Sequence, residues 1–346
     1  MSSTIELSRF TAVCPPDFDP QAVAAAVLDQ FALVGDYESL VSERDQNFRL
    51  TTSEGARYVV KVTSLTEDPI VTECQIAALI HLEDRGVSCV PKVVRTKSGD
   101  DHGVIHGEDG AEICLRVVTW LSGHLLSDVE LTQETARKFG QQLAVLDQAF
   151  SDFSHEGEQQ VLLWDTQRAD QLCRLLDHVD NSDVRREVET VLETFADNVR
   201  PVLNTLPSQM IHNDANTENI LLDSEGAVSG IIDFGDVMKA PRIIEVSTAA
   251  AYLRADGEDR LRIIAAFVAG YHQRSPLLRA ELELLFDLIR TRLSMTLIIL
   301  YWRLSARDEN DPYRQKTLAS EGDAYEFLRF LSAAGRDAFL DRIGLQ

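Results

Sequence analysis

Two short polar segments near the middle of the chain carry the side chains best suited to chemistry. Residues 210–219 include Asp214 and Asn219, and residues 231–236 include Asp233. Both segments border apolar strand patterns, where a carboxylate is costly unless it is paired or bound to a cation. A hairpin between the segments can return Asp233 to the same end of a small sheet as Asp214 and Asn219. Such oxygen groups, completed by phosphate oxygens, are the ligands that magnesium prefers.

The order and spacing of these residues are typical of phosphoryl transfer in the kinase fold. His212 and Asp214 form His-x-Asp, Asn219 follows, and Asp-Phe-Gly begins at Asp233. In that scheme Asp214 orients the acceptor hydroxyl and takes its proton. Asn219 and Asp233 hold metal ions, and His212 supports the loop from behind. The same residue types are also common as turn and cap residues at strand ends, and His212 alone also fits a structural histidine.

A cation for the nucleotide phosphates is expected on an earlier strand. Lys61 lies in the alternating run 57–63, and Glu73 follows in the first turns of a helix that opens at Pro69. We predict that Lys61 pairs with Glu73, as a strand lysine and a helix glutamate do in kinases. The alternative is an edge-strand surface lysine beside an exposed glutamate. No Gly-x-Gly-x-x-Gly precedes the lysine, and the corresponding turn, 42–48, either caps phosphates or is a plain hairpin turn.

The elements that must position these residues change character along the chain. Apolar periodicity predicts helices at 21–34, 69–85, 131–150, 184–200, 260–272 and 279–302. Alternating or short apolar runs predict strands at 47–52, 57–63, 92–95, 103–106, 112–120, 220–222 and 228–233. The fold class is therefore α+β, with a strand-rich lobe at 1–121 and a mainly helical lobe at 122–346.

Composition limits the partners and the compartment. The net charge is −23, from 56 acidic and 33 basic residues, which disfavours nucleic acid and anionic membranes as partners. The five cysteines are scattered without metal-ligand spacing, so we expect free thiols in a reducing compartment. Residues 1–6 lack the pattern of a signal peptide, and the apolar run 293–302 is too short to span a bilayer. These features predict a cytoplasmic protein.

The motifs as a set resemble those of a known superfamily. His212 to Asn219 follows the pattern His-Gly-Asp, four residues, Asn, with Asn213 in place of the glycine. Further similarity lies in Asp45-Gln46-Asn47-Phe48, in residues 115–123 and 229–236, in the helix that contains Glu245-Val246, and at Arg292. On these residues the chain resembles the aminoglycoside phosphotransferase superfamily, and within it hydroxylysine kinase and its bacterial relatives, over nearly its whole length.

The resemblance implies a protein-kinase-like fold of two lobes, with a small antiparallel sheet plus helix in the first and mostly helices in the second. It implies ATP or GTP as phosphate donor together with Mg²⁺. The nucleotide would lie between the lobes, near Asn47 and Lys61, with its base against a hinge at Val117 and Thr119. The reaction implied is phosphorylation of a hydroxyl group on a small molecule.

The acceptor implied is a small amino alcohol or hydroxy-amino acid, with 5-hydroxylysine as the leading candidate. Asp236 and Glu245 would suit its ammonium group, and Arg292 would suit a carboxylate, although Arg292 also fits a structural arginine. Homoserine, choline, ethanolamine and an aminoglycoside remain alternatives. Choline would need an aromatic cage, for which the candidates are Tyr252, Tyr271, Tyr301 and Trp302.

Two other classes of protein fit the sequence less well than a small-molecule kinase does. A catalytically silent kinase-like module usually lacks one of the central residues, whereas Lys61, Asp214, Asn219 and Asp233 are all present. A protein kinase is disfavoured because no Ala-Pro-Glu element follows Asp233, and too few residues are available for an activation segment.

Overall fold

The N-terminal part of the chain is an antiparallel sheet with one helix packed on it. A computed structural model describes residues 5, 15–42, 44–107, 110–253, 255, 260–305 and 312–344, with the backbone alone at 312–321. The strands are Gly35–Leu40 (β1), Gln46–Thr52 (β2), Arg57–Val62 (β3), Gly103–His106 (β4) and Glu112–Thr119 (β5), in the spatial order β1-β2-β3-β5-β4.

Alternating side chains of this sheet bury one face against helix α1, Pro20–Phe31. The helix begins where Asp19 caps it and a proline takes the first position. Its Val23 and Val27 join a small core with apolar residues of four strands, namely Phe48, Leu50, Val60, Val62, Ile105, Ile113, Leu115 and Val117. Because strand side chains alternate between faces, Lys61 lies on the face opposite Val60 and Val62.

Helix α2, Pro69–Asp84, connects the two parts of the molecule. Asp68 caps its N-terminus, and Pro69 again opens the helix. Its apolar residues belong to the large core of the second part and not to the core of the sheet, as Cys74, Ala78, Leu79 and Leu82 show. A helix that follows the strands of the first part in sequence is therefore packed against the second part of the molecule.

The second part is mainly helical. Its helices are Gln133–Ala149 (α3), Ser182–Thr194 (α4), Arg200–Leu203 (α5), Ile243–Tyr252 (α6), Arg260–Arg274 (α7), Arg279–Ser305 (α8), Pro312–Ala334 (α9) and Arg336–Arg342 (α10), with a 3₁₀ segment at Thr166–His178. Its strands are His124–Leu125 (β6), Ser208–Ile211 (β7), Ile220–Leu222 (β8), Val228–Ile231 (β9) and Met238–Pro241 (β10). They form a β6-β8-β9 sheet and a β10-β7 pair.

The structure confirms the α+β class and the predicted helices to within a few residues. The prediction of a strand at 92–95 was wrong, because only Val93 forms a bridge, with Val118. Strands β1, β6, β7 and β10 were missed. The β7–β10 pair joins two short segments far apart in sequence, and local pattern cannot find such a pair. No helix in the described ranges is both long enough and apolar enough to cross a bilayer.

Candidate active site

A cavity of about 930 Å³ lies between the N-terminal sheet and the helical part. Five of the residues predicted from the sequence line it: Lys61, Asp214, Asp233, Asp236 and Arg292. They come from β3, from the two polar segments and from α8, so residues distant in sequence converge on one space. Asn219 reaches the same place through its hydrogen bonds to Asp214.

Asp233 lies two residues after the end of β9, with its carboxylate in the open cavity. Its side chain is 55% exposed, and its Oδ1 is 3.6 Å from Lys61 Nζ. The lysine, more than any other group, holds the pKa of Asp233 below its ordinary value. The backbone is left-handed here, with φ of 62°, a strained conformation that is often retained at functional sites. Asp233 is thus an ionised carboxylate beside a cation.

Asp214 and Asn219 are held together on the loop after β7. The Asn219 amide nitrogen donates to the Asp214 backbone carbonyl at 2.9 Å and to its Oδ2 at 2.8 Å. The Asn219 amide oxygen therefore faces away from Asp214. Burial, and next the nearby Asp236, raise the pKa of Asp214 to about 8. A carboxylate with a raised pKa is well matched to accepting a proton near neutral pH.

His212 ties this loop to the strand that leads into Asp233. The ring is fully buried, its Nε2 lies 3.0 Å from the Ile232 carbonyl, and its Nδ1 accepts from the Asp214 N–H at 3.3 Å. Burial lowers its pKa, so the ring is neutral, with the proton on Nε2. The ring also meets Phe234 edge-on, with 4.7 Å between centroids. His212 therefore positions the loop from behind and does not enter the cavity.

Glu245 lies under the same loop, which corrects its predicted role as a substrate residue. The side chain is fully buried in α6, and its Oε2 accepts from the Asn213 N–H at 2.8 Å. It does not line the cavity, because the loop itself lies between them. Glu245 holds the loop backbone and is a positioning residue.

The burial of Glu245 predicts a pH effect on stability. Desolvation raises the pKa of this carboxyl to about 7, against the opposing effect of the Asn213 and His212 backbone groups. Stability from the protonated form is complete below the unfolded-state pKa and is lost as pH rises to about 7. We expect Glu245→Gln, which stays neutral and keeps an acceptor for Asn213, to gain roughly 3 kcal/mol over wild type between pH 4.5 and 7.5. Urea unfolding across this range would measure it, and parallel curves for the two proteins would contradict it.

Asn213 occupies a left-handed position, with φ of 65°, where glycine is the usual residue and Asn is tolerated. Its buried amide atoms have no hydrogen-bond partner within the described residues. We expect Asn213→Gly to remain within about 1 kcal/mol of wild type, and Asn213→Val to lose at least about 1–2 kcal/mol. Thermal melts of the two variants would test this, and equal melting temperatures would be contrary to the backbone argument.

Lys61 is paired differently from the prediction. The carboxylates within 4 Å of its Nζ, in the described part of the chain, belong to Asp233 and to Asp45, the latter at 3.9 Å. Glu73 is exposed on α2 and lines a separate surface cavity of about 490 Å³. The structure therefore does not form the predicted pair of Lys61 and Glu73, because α2 turns a different face toward the site.

The face that α2 presents carries Gln75. Its amide nitrogen donates to the Gly235 carbonyl at 2.9 Å, and its oxygen accepts from Arg116 at 2.7 Å. Arg116 in turn donates to Asp45 at 2.9 Å. This buried network joins the turn before β2, the sheet, α2 and the segment after Asp233. Sequence reasoning assigned no individual role to Gln75 or Arg116, each a polar residue within an apolar run, and it considered Asp45 only as part of the turn 42–48 and of the resemblance.

The predicted hinge residues have occupied backbone groups. The Val117 carbonyl accepts from Val94 N–H at 2.9 Å, and the Thr119 N–H donates to the Lys92 carbonyl at 2.9 Å. The Thr119 N–H is therefore not open to a nucleotide base, whereas the Val117 carbonyl keeps a second lone pair. Asn47 lies opposite Lys61 in the β2–β3 register, and its buried amide oxygen has no partner within the described residues.

Arg292 lies at the far wall of the cavity. Its side chain is more deeply buried than we expected for a residue that binds the acceptor. Its side chain is 1% exposed, with Nη2 3.6 Å from Asp214 Oδ1. The guanidinium donates to the Trp164 carbonyl at 2.9 Å and lies over the Trp164 ring at 4.8 Å and the Tyr252 ring at 5.8 Å. Arg303 lies over the same indole at 5.8 Å. Sequence reasoning missed Trp164 and Arg303, for which no motif existed.

The donor chemistry fits a magnesium ion that is shared with a bound phosphate. No cluster of three or more His, Cys, Asp or Glu side chains within the described ranges forms a metal cage of its own. Asn219 and Asp233 offer hard oxygen atoms, and Mg²⁺ is commonly bound by one or two such groups plus water and substrate phosphates. The ionised state of Asp233 and its open position meet this requirement.

Similarity to known proteins extends over nearly all of the chain. Residues 37–284 match the family described as "Phosphotransferase enzyme family". The chain is 27% identical to hydroxylysine kinase of Mus musculus over 323 residues, 86% of each protein. It is 30% identical to homoserine kinase of Neisseria meningitidis over 244 residues, 68% of this chain and 73% of that protein.

Solved structures give the same picture of the fold. Amicoumacin kinase hAmiN in complex with AMP-PNP, Ca²⁺ and Ami aligns with a TM-score of 0.68 over 94% of each chain at 18% identity. The microcompartment-associated aminopropanol kinase aligns with a TM-score of 0.63 over 94% of this chain and 99% of that one, at 17% identity. These similarities confirm the kinase-like fold and the resemblance drawn from the motifs.

Proposed function

The chain belongs to the phosphotransferase enzyme family, and we propose that it transfers the γ-phosphate of ATP or GTP to the hydroxyl of an amino alcohol, with 5-hydroxylysine as the leading acceptor. One observation carries this proposal: Lys61, Asp214 and Asp233 open into a single cavity beside Asn219. These are the groups that phosphoryl transfer requires, in the places where a nucleotide and an acceptor would meet.

The nucleotide phosphates would lie against Lys61 and Asp233. Lys61 supplies a fixed positive charge, because Asp45 and Asp233 hold its ammonium from two sides. Asn219 and Asp233 would hold Mg²⁺, which when bound offsets the charge of the phosphates. Kinases obtain their rate mainly from this positioning and charge stabilisation. A network that fixes Asp45 through Arg116 and Gln75 keeps the phosphate end of the cavity in order.

The acceptor hydroxyl would lie beside Asp214. Asn216 and Asn219 donate to the two carboxylate oxygens at 3.0 and 2.8 Å, so the carboxylate has a fixed orientation. As the hydroxyl oxygen attacks the γ-phosphorus, Asp214 accepts the hydroxyl proton. The P–O bond to the leaving nucleotide breaks, and the nucleoside diphosphate leaves with that electron pair.

The wall opposite the phosphate end suits a carboxylate. Arg292 and Arg303 lie on the indole of Trp164, and all three residues line the cavity. Arg292 is almost fully buried, so it orients Trp164 and Asp214, whereas Arg303 is only half-buried and would contact the ligand. A guanidinium pairs well with a carboxylate. The acceptor is therefore an amino acid in preference to a simple amine.

Two of the aromatic candidates for a choline cage are engaged in other contacts, which argues against choline. Tyr271 is fully buried and its hydroxyl is bonded to Asp147, while one face of Tyr252 receives Arg292. Homoserine remains a second candidate because the chain is 30% identical to a homoserine kinase. Homoserine carries the same α-carboxylate and would use the same wall of the cavity, where Arg292 and Arg303 lie.

An acceptor panel tests the proposal. Release of ADP or GDP would be measured with 5-hydroxylysine, homoserine, ethanolamine and choline, using ATP and GTP separately. Lysine, which lacks the hydroxyl, is the control. We expect 5-hydroxylysine to give the highest kcat/KM, and lysine to inhibit without turnover. Faster turnover of ethanolamine than of 5-hydroxylysine would show that Arg292 and Arg303 do not select the acceptor. If no compound were turned over, the kinase assignment would be removed.

Replacement of Arg303 separates the acceptors by charge. We expect Arg303→Gln to raise KM for 5-hydroxylysine and homoserine by at least roughly tenfold, because it removes a charge-assisted contact to the carboxylate. The KM for ethanolamine, which has no carboxylate, should stay within about twofold. Steady-state kinetics with the three compounds would measure this, and an equal rise for ethanolamine would contradict it.

We also propose that the protein works in the cytoplasm, where its nucleotide substrate is made. Cys74, Cys89, Cys114 and Cys173 are free thiols, the first two of them buried, and Cys14 lies outside the described residues. Their spacing and burial fit a reducing compartment. Fractionation of cells that express the native protein would test this location.

A further inference from the structure

Three described residues between β1 and β2 line the phosphate end of the cavity, namely Ser42, Arg44 and Asp45, so an arginine lies where other kinases have a glycine-rich loop. Glu43 lies outside the described residues, but Arg44 and Asp45 both line the cavity. Asp45 anchors the turn, since its Oδ1 accepts from Ser64 N–H at 3.1 Å and its Oδ2 accepts from Arg116 at 2.9 Å. Arg44 therefore extends into the cavity from a fixed base.

Arg44 crosses the cavity to the segment that holds the metal ligand. Its guanidinium donates to Asp236 Oδ1, and its Nη2 lies 2.9 Å from the position that a Cβ on Gly235 would take. Asp233 Oδ1 lies 3.2 Å from that same position. The guanidinium and the Asp233 carboxylate thus flank one point above Gly235. A phosphate on a metal held by Asp233 would come within reach of Arg44.

The charges at this end of the cavity account for the ion pair between Arg44 and Asp236. Arg44 and Lys61 are its cations, whereas the acids that line it include Asp45, Glu67, Asp233 and Asp236. Among these acids, Asp236 is paired with Arg44. A phosphate offers more oxygen acceptors than one carboxylate does. A guanidinium can also donate two parallel hydrogen bonds to a phosphate, in a bidentate geometry. A triphosphate would therefore compete well for this side chain.

We propose that Arg44 is a phosphate ligand of this kinase and that it exchanges Asp236 for the nucleotide phosphates, which frees Asp236 to bind the ammonium group of the acceptor. The proposal rests on the proposed function for its ligands. It assigns to Arg44 the task that backbone amides of a glycine-rich loop perform in other kinases. It also makes the nucleotide the first substrate to bind.

The burial of Asp236 supplies the link between the two substrates. Its side chain is 12% exposed, and Arg44 is the cation within 4 Å of it in the described part of the chain. A carboxylate that loses its close counter-ion in such a place is strongly destabilised. An incoming ammonium restores the pairing, so the acceptor binds more tightly after Arg44 has turned to the phosphates. Before that, the acceptor must compete with Arg44.

Nucleotide affinity without acceptor is the first test. Titration calorimetry with AMP-PNP and Mg²⁺ would compare wild type, Arg44→Gln and Asp236→Asn. We expect Arg44→Gln to raise the Kd at least roughly tenfold, because a charge-assisted contact is lost. Asp236→Asn should leave the Kd unchanged or lower it, because Asp236 competes with phosphate for Arg44.

Arg85→Gln is the matched control. Arg85 at the end of α2 pairs with Asp152 in the second part of the molecule, so the variant breaks an ion pair between the same two parts but outside the cavity. Its Kd for AMP-PNP should equal that of wild type. If Arg44 only tied the two parts together, Arg44→Gln and Asp236→Asn would weaken nucleotide binding equally. That result, or an unchanged Kd for Arg44→Gln, would overturn the inference while leaving the kinase assignment intact.

Acceptor affinity is the second test. For wild type, the Kd of 5-hydroxylysine should fall at least roughly tenfold when AMP-PNP and Mg²⁺ are present. In Arg44→Gln the nucleotide-free protein should already bind 5-hydroxylysine tightly, because Asp236 is free. Equal Kd values with and without nucleotide in wild type would overturn the exchange. A wild type that binds no nucleotide would overturn the proposed function, and this inference with it.

Discussion

Asp214→Asn should lower kcat by roughly 10³-fold while the Kd for magnesium and AMP-PNP stays within about threefold of wild type. The substitution preserves size and removes the group that accepts the hydroxyl proton. The amide oxygen keeps one of the two side-chain hydrogen bonds that Asn216 and Asn219 donate. Asn219 also donates to the backbone carbonyl of residue 214, which the substitution does not change, so the loop remains in place. The Asp214 carboxylate is not expected to hold the nucleotide. A loss confined to kcat is therefore the signature of a proton acceptor.

Stopped-flow or steady-state turnover would be measured beside nucleotide titration for the same samples. Asn216→Ala is the matched control, since it removes the 3.0 Å contact to Asp214 Oδ1 without removing the base. We expect that variant to lose less than about tenfold in kcat. Turnover of Asp214→Asn within threefold of wild type would show that another group takes the proton.

Asp233→Ala should have the second large effect, on nucleotide binding. We expect the Kd for AMP-PNP to rise at least roughly 100-fold in the presence of Mg²⁺, and the dependence of that Kd on Mg²⁺ to disappear. The reason is that Asp233 is the carboxylate proposed to bind Mg²⁺, and it is ionised. Its Oδ1 also lies 3.6 Å from Lys61 Nζ. Titration calorimetry with and without Mg²⁺ would measure both changes.

Asp223→Ala is the control for this variant. Asp223 is an aspartate on the turn between β8 and β9, where it is exposed and accepts from two backbone N–H groups. Its loss should affect stability slightly and nucleotide binding not at all. Tight, magnesium-dependent binding by Asp233→Ala would remove the metal role of Asp233.

The residues proposed to be catalytic could be located from the sequence because local pattern determines their segments. The segments 210–219 and 231–236 each combine a short apolar strand with a polar turn, and the order and spacing of Asp214, Asn219 and Asp233 are typical of phosphoryl transfer. Even the left-handed backbone at Asn213, with φ of 65°, follows from the residue type that replaces glycine.

The partners of these residues could not be predicted, because they depend on tertiary packing. Helix α2 buries residues on most of its circumference, so its sequence has no clear polar face to show whether Glu73 or Gln75 points at the site. Glu245 looked like a cavity acid, yet the loop above it makes it a buried support. The pair Arg44 and Asp236 spans 192 positions, and no local pattern reports a contact of that range.

In the proposed mechanism, one cavity brings a nucleotide phosphate and an amino-acid hydroxyl to Asp214. Phosphorus-31 NMR of wild type with MgATP and 5-hydroxylysine tests it most directly, because the product reports which bond was made. We predict a phosphomonoester resonance that grows as ATP is consumed and that is absent with Asp214→Asn. ATP converted only to inorganic phosphate, or left intact with 5-hydroxylysine, homoserine and every other amino alcohol supplied, would contradict the claim.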